Sequence, residues 1–154
     1  MSNYRRPKRH GAQVFFTVNL ADRTSDLLVR EIETLRQVVA NTREERPFEI
    51  DAWVVLPDHM HCVWTLPDGD RDFSMRWNVI KARFSFAMAA GRQRPSHIAR
   101  REKGIWQRRF WEHHIRNDDD YAAHVNYCWI NPVKHGLAAT PDAWPYSSYH
   151  RDNP

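Results

Sequence analysis

Cysteine is scarce in this chain, with only Cys62 and Cys128 among 154 residues. That count excludes a disulfide framework and is what a reducing cytoplasm would select. Long apolar runs are missing too. None approaches the ~20 residues needed to span a bilayer, and the opening Met1-Ser2-Asn3-Tyr4-Arg5-Arg6-Pro7-Lys8-Arg9-His10 has no apolar segment of the signal-peptide kind. Internal repeats and low-complexity tracts are absent. A soluble cytoplasmic protein with no membrane partner is expected. Acidic residues are lacking where basic ones gather: residues 1–10 carry four basic side chains and no acid. Residues 92–116 carry eight basic side chains against Glu102 and Glu112. The chain's formal charge is only +4, so the remainder is acidic. Charge sorted in this way points to a basic surface facing a polyanion.

What is present suits one folded domain spanning 1–154, with a basic arm at 1–10 and an irregular tail at 140–154. Hydrophobic residues make up 42% and aromatics 12%, enough for a real core. Seven tryptophans are many for this length; most should pack, and some are candidates for stacking on nucleobases.

Gln13 to Leu20 is β-branched and aromatic, a first strand. Thr24-Ser25-Asp26 offers helix caps ahead of Leu28, Ile32, Leu35 and Val39 at helical spacing. Phe48 to Leu56 and His59 to Leu66 read as a hairpin turning at Pro57-Asp58. Ser74 then caps a helix carrying Trp77, Ile80, Phe84 and Met88 on one stripe, closed by Gly91. A basic connection covers 92–104, and Ile105 to Ile115 reads as a fourth strand. Asn117-Asp118-Asp119-Asp120 opens the last helix, with acids where the helix dipole favours them. Pro132 should end that helix near Asn131. The order strand, helix, strand, strand, helix, strand, helix predicts an α+β fold: a ferredoxin-like antiparallel sheet flanked by helices.

Within the run Leu56-Pro57-Asp58-His59-Met60-His61-Cys62-Val63-Trp64, side chains alternate faces. His59 and His61 therefore point one way while Met60, Cys62 and Trp64 point the other. Two imidazoles on a rigid strand make half of a metal site. Tyr127 and Asn131, four apart, share one helix face. Asn131 can add an oxygen ligand, and a mixed nitrogen and oxygen set suits Mg²⁺ or Mn²⁺ better than a closed structural zinc. A tyrosine beside such an ion is placed to attack a phosphodiester. Plainer readings stand beside this one. Tyr127 could be a core tyrosine, Asn131 a helix end, His124 a surface residue, and the cysteines apolar filler. His113 and His114 fall on opposite faces of a strand, which argues against their chelating together.

Four blocks carry a resemblance that covers roughly Val14 to Tyr149. They are Leu56-Pro57-Asp58-His59-Met60-His61; Trp77-Asn78-Val79-Ile80-Lys81-Ala82-Arg83-Phe84-Ser85; Trp106-Gln107-Arg108-Arg109-Phe110-Trp111-Glu112-His113; and Tyr127 through Asn131-Pro132-Val133-Lys134-His135-Gly136. Together they resemble the REP-associated tyrosine transposases, relatives of the single-tyrosine transposases in the histidine-hydrophobe-histidine nuclease superfamily. The resemblance implies a metal held by His59, His61 and Asn131. It implies attack by Tyr127 on single-stranded DNA, leaving a 5′-phosphotyrosine link and a free 3′-hydroxyl. The substrate implied is a palindromic hairpin with a short guide beside its stem, handled by a monomer. Candidate DNA contacts are Arg5, Arg6, Lys8, Arg9, Lys81, Arg83, Arg100, Arg101, Lys103, Arg108 and Arg109. One departure stands out: Trp129 replaces a histidine that many members carry two residues after the tyrosine. It keeps alive a binding module that has lost its chemistry, and a water-activating metal phosphoesterase is a weaker third reading.

Overall fold

A computed structural model describes residues 11–90 and 104–154. Four strands, β1 (Gln13–Asn19), β2 (Glu49–Val55), β3 (His59–Thr65) and β4 (Trp111–His114), form one sheet in the order β2-β3-β1-β4. Every pairing is antiparallel. The helices are α1 (Leu27–Arg30), α2 (Ile32–Glu45), α3 (Phe73–Ala90) and α4 (Asp118–Lys134), followed by a 3₁₀ turn at Pro141–Ala143 and the short α5 (Tyr149–Asp152). Leaving α4 and the tail aside, this is the expected ferredoxin-like strand order and connectivity.

Both faces of the sheet are covered, which explains why every residue of β3 is buried. On one face Val14, Phe16, Val18, Met60, Cys62 and Trp64 pack against Leu35 and Val39 of α2 and Trp77, Ile80 and Phe84 of α3. Trp64 and Trp77 stack at 4.5 Å and 13°, a pair worth about 0.5–1.5 kcal/mol beyond its buried area. On the other face Phe15, Ala52, Val54, Leu56 and Val63 receive Tyr121, Val125, Cys128 and Trp129 of α4. Both cysteines are buried and free, one in each cluster.

Three expectations are corrected. The strand read from Ile105 to Ile115 is only Trp111–His114. Upstream, Trp106 bridges Leu20 and Gln107 donates its N–H to the Asn19 carbonyl, whereas Trp111 already pairs with Thr17. Four residues, 107–110, therefore lie between these two pairings where β1 has only Val18 and Asn19, so the ladder breaks. Pro132 does not end α4, which runs on to Lys134. So near the C-terminus only the Cys128 carbonyl loses its intrahelical donor, and His135 N–H still reaches the Asn131 carbonyl at 3.0 Å. The tail is not wholly irregular. Its residues pair with the free side of β2 through Val55 N–H to the Tyr146 carbonyl and Ser148 N–H to the Trp53 carbonyl, both 2.8 Å. That pairing seals an otherwise open sheet edge.

Candidate active site

The turn Pro57-Asp58 closes the β2–β3 hairpin, with Leu56 N–H bonded to the His59 carbonyl at 2.8 Å. It launches β3 so that His59 and His61 emerge on the face that α4 covers. Their rings lie 4.9 Å apart and nearly perpendicular, and the side chains are buried. Each imidazole is fixed by a different neighbour. His59 Nδ1 sits 2.8 Å from Asp58 Oδ1, and Arg23 holds the same carboxylate from its other oxygen at 2.5 Å. His61 Nδ1 shares a 2.8 Å hydrogen bond with Thr17 Oγ1 on β1. With the protons on the two Nδ1 atoms, both Nε2 lone pairs are left for a ligand, the orientation that metal-binding histidines commonly receive from such partners. Burial disfavours an ionised Asp58, but hydrogen bonds from Arg23 and His59 prevail and hold it below the usual carboxylate range.

Helix α4 brings the other half. Asn117 caps it by accepting from Asp120 N–H at 2.8 Å, and its apolar side docks on the sheet, so Tyr127 and Asn131 arrive at the histidines. The Tyr127 ring centroid is 5.1 Å from that of His61. Asn131 is fully buried, and neither its Oδ1 nor its Nδ2 has a hydrogen-bond partner; His61 Nε2 is likewise buried and unpartnered. Orphaned buried polar atoms are costly. Two of them, His61 Nε2 and Asn131 Oδ1, are acceptors that a bound cation would satisfy. The donor set His59, His61 and Asn131 fits a divalent ion.

Burial first, and then electrostatic repulsion of its charged form by the His59, His135 and Lys134 side chains, pushes His61 down to about 3, against a weak opposing influence of the Asn131 amide. His59 is lowered as well, mainly by burial, despite its contact with Asp58. Both imidazoles are therefore neutral at physiological pH, the form that can bind metal. The sign for stability follows. The unfolded chain protonates His61 near pH 6.5 and the folded chain does not, so metal-free protein should lose about 1.4 kcal/mol per pH unit from that value down toward 3. Urea denaturation in chelator at pH 7, 5 and 4 measures this. His61→Gln should flatten most of the slope, and an unchanged slope would place the acid sensitivity elsewhere.

Several neighbours were not evident from spacing alone. Lys134 Nζ lies 5.0 Å from the Tyr127 ring centroid, and the His135 ring is 5.3 Å from that of His59. Phe15 stacks on His61 at 5.7 Å and meets Tyr127 edge-on at 5.8 Å. Trp129 points elsewhere: it is buried, donates Nε1–H to Ser148 Oγ at 3.2 Å and packs against Tyr149 under the tail. Position 129 thus faces away from the histidines, as two residues along a helix require.

Of the candidate DNA contacts, Arg108 and Arg109 are exposed just before Trp111. Lys81 is half-buried and donates to the Gln107 carbonyl at 3.0 Å, and Arg83 forms a forked pair with Glu45 at 2.6 and 2.8 Å. Arg5, Arg6, Lys8, Arg9, Arg100, Arg101 and Lys103 lie outside the described residues. No helix among the described residues is long and apolar enough to cross a membrane.

No family model matches the chain. It is 51% identical to the REP-associated tyrosine transposase of Escherichia coli over 152 residues, covering 99% of this chain and 85% of that protein. A relative from Haemophilus influenzae is 44% identical over 160 residues, covering 99% and 88%. Among solved structures, a REP-associated tyrosine transposase bound to a REP hairpin superposes with a TM-score of 0.82 at 51% identity, covering 99% of this chain and 85% of that one. A Deinococcus radiodurans structure at 12% identity, with a TM-score of 0.54 and coverage of 88% and 97%, shares the fold alone.

Proposed function

The chain belongs to the REP-associated tyrosine transposase family, and we propose that it is a metal-dependent single-stranded DNA endonuclease and strand transferase. Its substrate would be a palindromic hairpin of the REP kind, in keeping with the hairpin held by the similar solved structure. The observation that carries the chemistry is the Tyr127 ring 5.1 Å from His61, beside the unpartnered His61 Nε2 and Asn131 amide.

His59, His61 and Asn131 would hold Mg²⁺ or Mn²⁺, which when bound would polarise the scissile phosphate and favour an ionised phenol nearby. Tyr127 Oη would attack phosphorus to form an O–P bond. The bond from phosphorus to the 3′ oxygen breaks, and that oxygen leaves as a 3′-hydroxyl after taking up a proton. The 5′ phosphate stays on the tyrosine, and attack on it by another 3′-hydroxyl would complete strand transfer. Lys134, over the Tyr127 ring at 5.0 Å from its centroid, would add a positive charge close enough to favour the ionised phenol. Because Trp129 packs under the tail, its replacement of histidine does not remove a side chain from beside Tyr127. A monomer suffices, since this chain's own helix supplies the tyrosine to its own histidines.

Trp111 adds a grip on the substrate. Of the seven tryptophans it alone is mostly exposed, at 65%. It pairs in register with Thr17, whose hydroxyl holds His61, so it lies on the same face of the sheet. With Arg108 and Arg109 just upstream, it forms an aromatic and basic surface of the kind that binds unpaired strands. Trp111→Ala should weaken binding of a hairpin with a single-stranded flank by about 1–3 kcal/mol and leave the affinity for the blunt stem unchanged. Fluorescence anisotropy on both substrates at one salt concentration tests it.

The function itself is tested by mixing the protein with end-labelled hairpin DNA and Mn²⁺ and running a denaturing gel. A covalent protein–DNA band that vanishes with chelator supports the tyrosine nuclease. Tight hairpin binding without a band, across hairpins carrying candidate guide tetranucleotides, would support a binding module.

A further inference from the structure

A second cluster of ligating side chains lies on the same face of the sheet, one aromatic ring away from the first. His113 on β4 is paired with Phe15 on β1 and faces α4. There its ring stacks on that of His124 at 4.4 Å and 18°. Asp120, in the first turn of α4, stands between them. Its Oδ1 is 3.0 Å from His113 Nε2 and 3.1 Å from His124 Nδ1, while its Oδ2 is 2.8 Å from the same His113 nitrogen. Oδ2 is also anchored by the Arg116 N–H at 2.9 Å, which leaves Oδ1 as the oxygen the two imidazoles share. One ligand atom from each residue falls within 4.8 Å of the other two. The three side chains are 25%, 12% and 24% exposed, so one side of the cluster opens to water.

We propose that His113, Asp120 and His124 form a second metal site, selective for zinc-type divalent ions, that clamps edge strand β4 to the helix carrying Tyr127. Two imidazole nitrogens, one carboxylate oxygen and a solvent molecule make the four-coordinate set Zn²⁺ favours, while Mg²⁺ has little affinity for imidazole. The carboxylate also distinguishes this site from His59, His61 and Asn131, whose oxygen ligand is neutral. Binding requires that each imidazole carry its proton on the nitrogen turned away from the ion, His113 on Nδ1 and His124 on Nε2, and that His124 Nδ1 exchange its 2.8 Å hydrogen bond to the Asp120 backbone carbonyl for the metal. A short edge strand of four residues has few ladder bonds of its own, so a metal bridge to α4 would add a non-local restraint. Phe15 touches His124 at 4.8 Å on one side, and His61 and Tyr127 on the other. The restraint would therefore act on the wall of the active site and is independent of the tyrosine chemistry.

The test uses the metal-free full-length chain, titrated with Co²⁺ and watched in the visible spectrum, then with Zn²⁺ against a chromophoric chelator. A His59→Ala/His61→Ala protein should keep one tightly held equivalent with four-coordinate Co²⁺ absorption and a Zn²⁺-induced rise in Tm. His113→Ala/His124→Ala should lose that equivalent and the rise. Asp120→Asn, which keeps the side chain's shape and hydrogen-bonding capacity, should lose the tight equivalent while remaining folded by circular dichroism. Should the double histidine variant fail to fold, the asparagine variant decides. No tight Co²⁺ or Zn²⁺ in the His59→Ala/His61→Ala protein would overturn the proposal, as would full retention of it by Asp120→Asn.

Discussion

Replacing Tyr127 with phenylalanine is expected to abolish the covalent protein–DNA product and cut strand cleavage on the order of 10⁴-fold or more, the scale seen when a covalent nucleophile is removed. Hairpin affinity should be unchanged. The prediction is clean because the contacts that place this residue are made by its ring: the edge-on packing against Phe15 at 5.8 Å, the approach to His61 at 5.1 Å and the Lys134 ammonium at 5.0 Å. Phenylalanine preserves that ring and removes only the oxygen, so a folding defect is not expected. Gel analysis of cleavage and anisotropy of binding, run on the same preparation, separate the two effects. Hydrolysis that survives Tyr127→Phe but disappears in His61→Ala would replace the tyrosine nucleophile with an activated water. Loss of binding alongside loss of cleavage would mean the phenol holds DNA instead of cutting it.

Much of this site was legible because two periodicities are rigid. Period two on β3 placed His59 and His61 together and put Met60, Cys62 and Trp64 in the opposite core cluster. Period 3.6 on α4 placed Tyr127 and Asn131 on one face and sent Trp129 to the other. The ferredoxin-like order was readable from the sequence of strands and helices, since few right-handed, short connections satisfy it. What escaped was set by tertiary register. Thr17 meets His61 only because β1 pairs with β3 at that offset, and nothing local in Thr17-Val18-Asn19 announces it. The strand read through Ile105 to Ile115 failed because β-propensity cannot show that residues 108–110 fall out of register with β1. Pro132 misled for a similar reason. A helix breaker is tolerated where only one carbonyl loses its donor, and packing of Cys128, Asn131 and Pro132 against the sheet outweighs that loss. His113 and His114 were correctly separated onto two faces, yet the partner of His113 proved to be His124, eleven residues on in another element.

Replacing Asn131 separates a residue kept for function from one kept for stability. Its amide is fully buried with neither polar atom partnered, so in metal-free protein it should cost about 1–3 kcal/mol relative to an apolar group of like shape. Leucine has the same branched heavy-atom outline and a better helix propensity. In chelator, Asn131→Leu should therefore be more stable than the parent by about 1 kcal/mol or more, read as a higher urea midpoint with unchanged m-value. Its metal-dependent cleavage should be lost, and added Mn²⁺, expected to raise the Tm of the parent, should not raise that of the variant. Gain of stability with loss of activity is the pattern of a buried polar residue held in place for a ligand. The opposite result is equally informative. If Asn131→Leu unfolds at lower urea in chelator, the amide is satisfied inside the fold and Asn131 is part of the scaffold. If it is stable and still cleaves with Mn²⁺, the third ligand must be sought elsewhere, and the His135 ring 5.3 Å from that of His59 is one alternative.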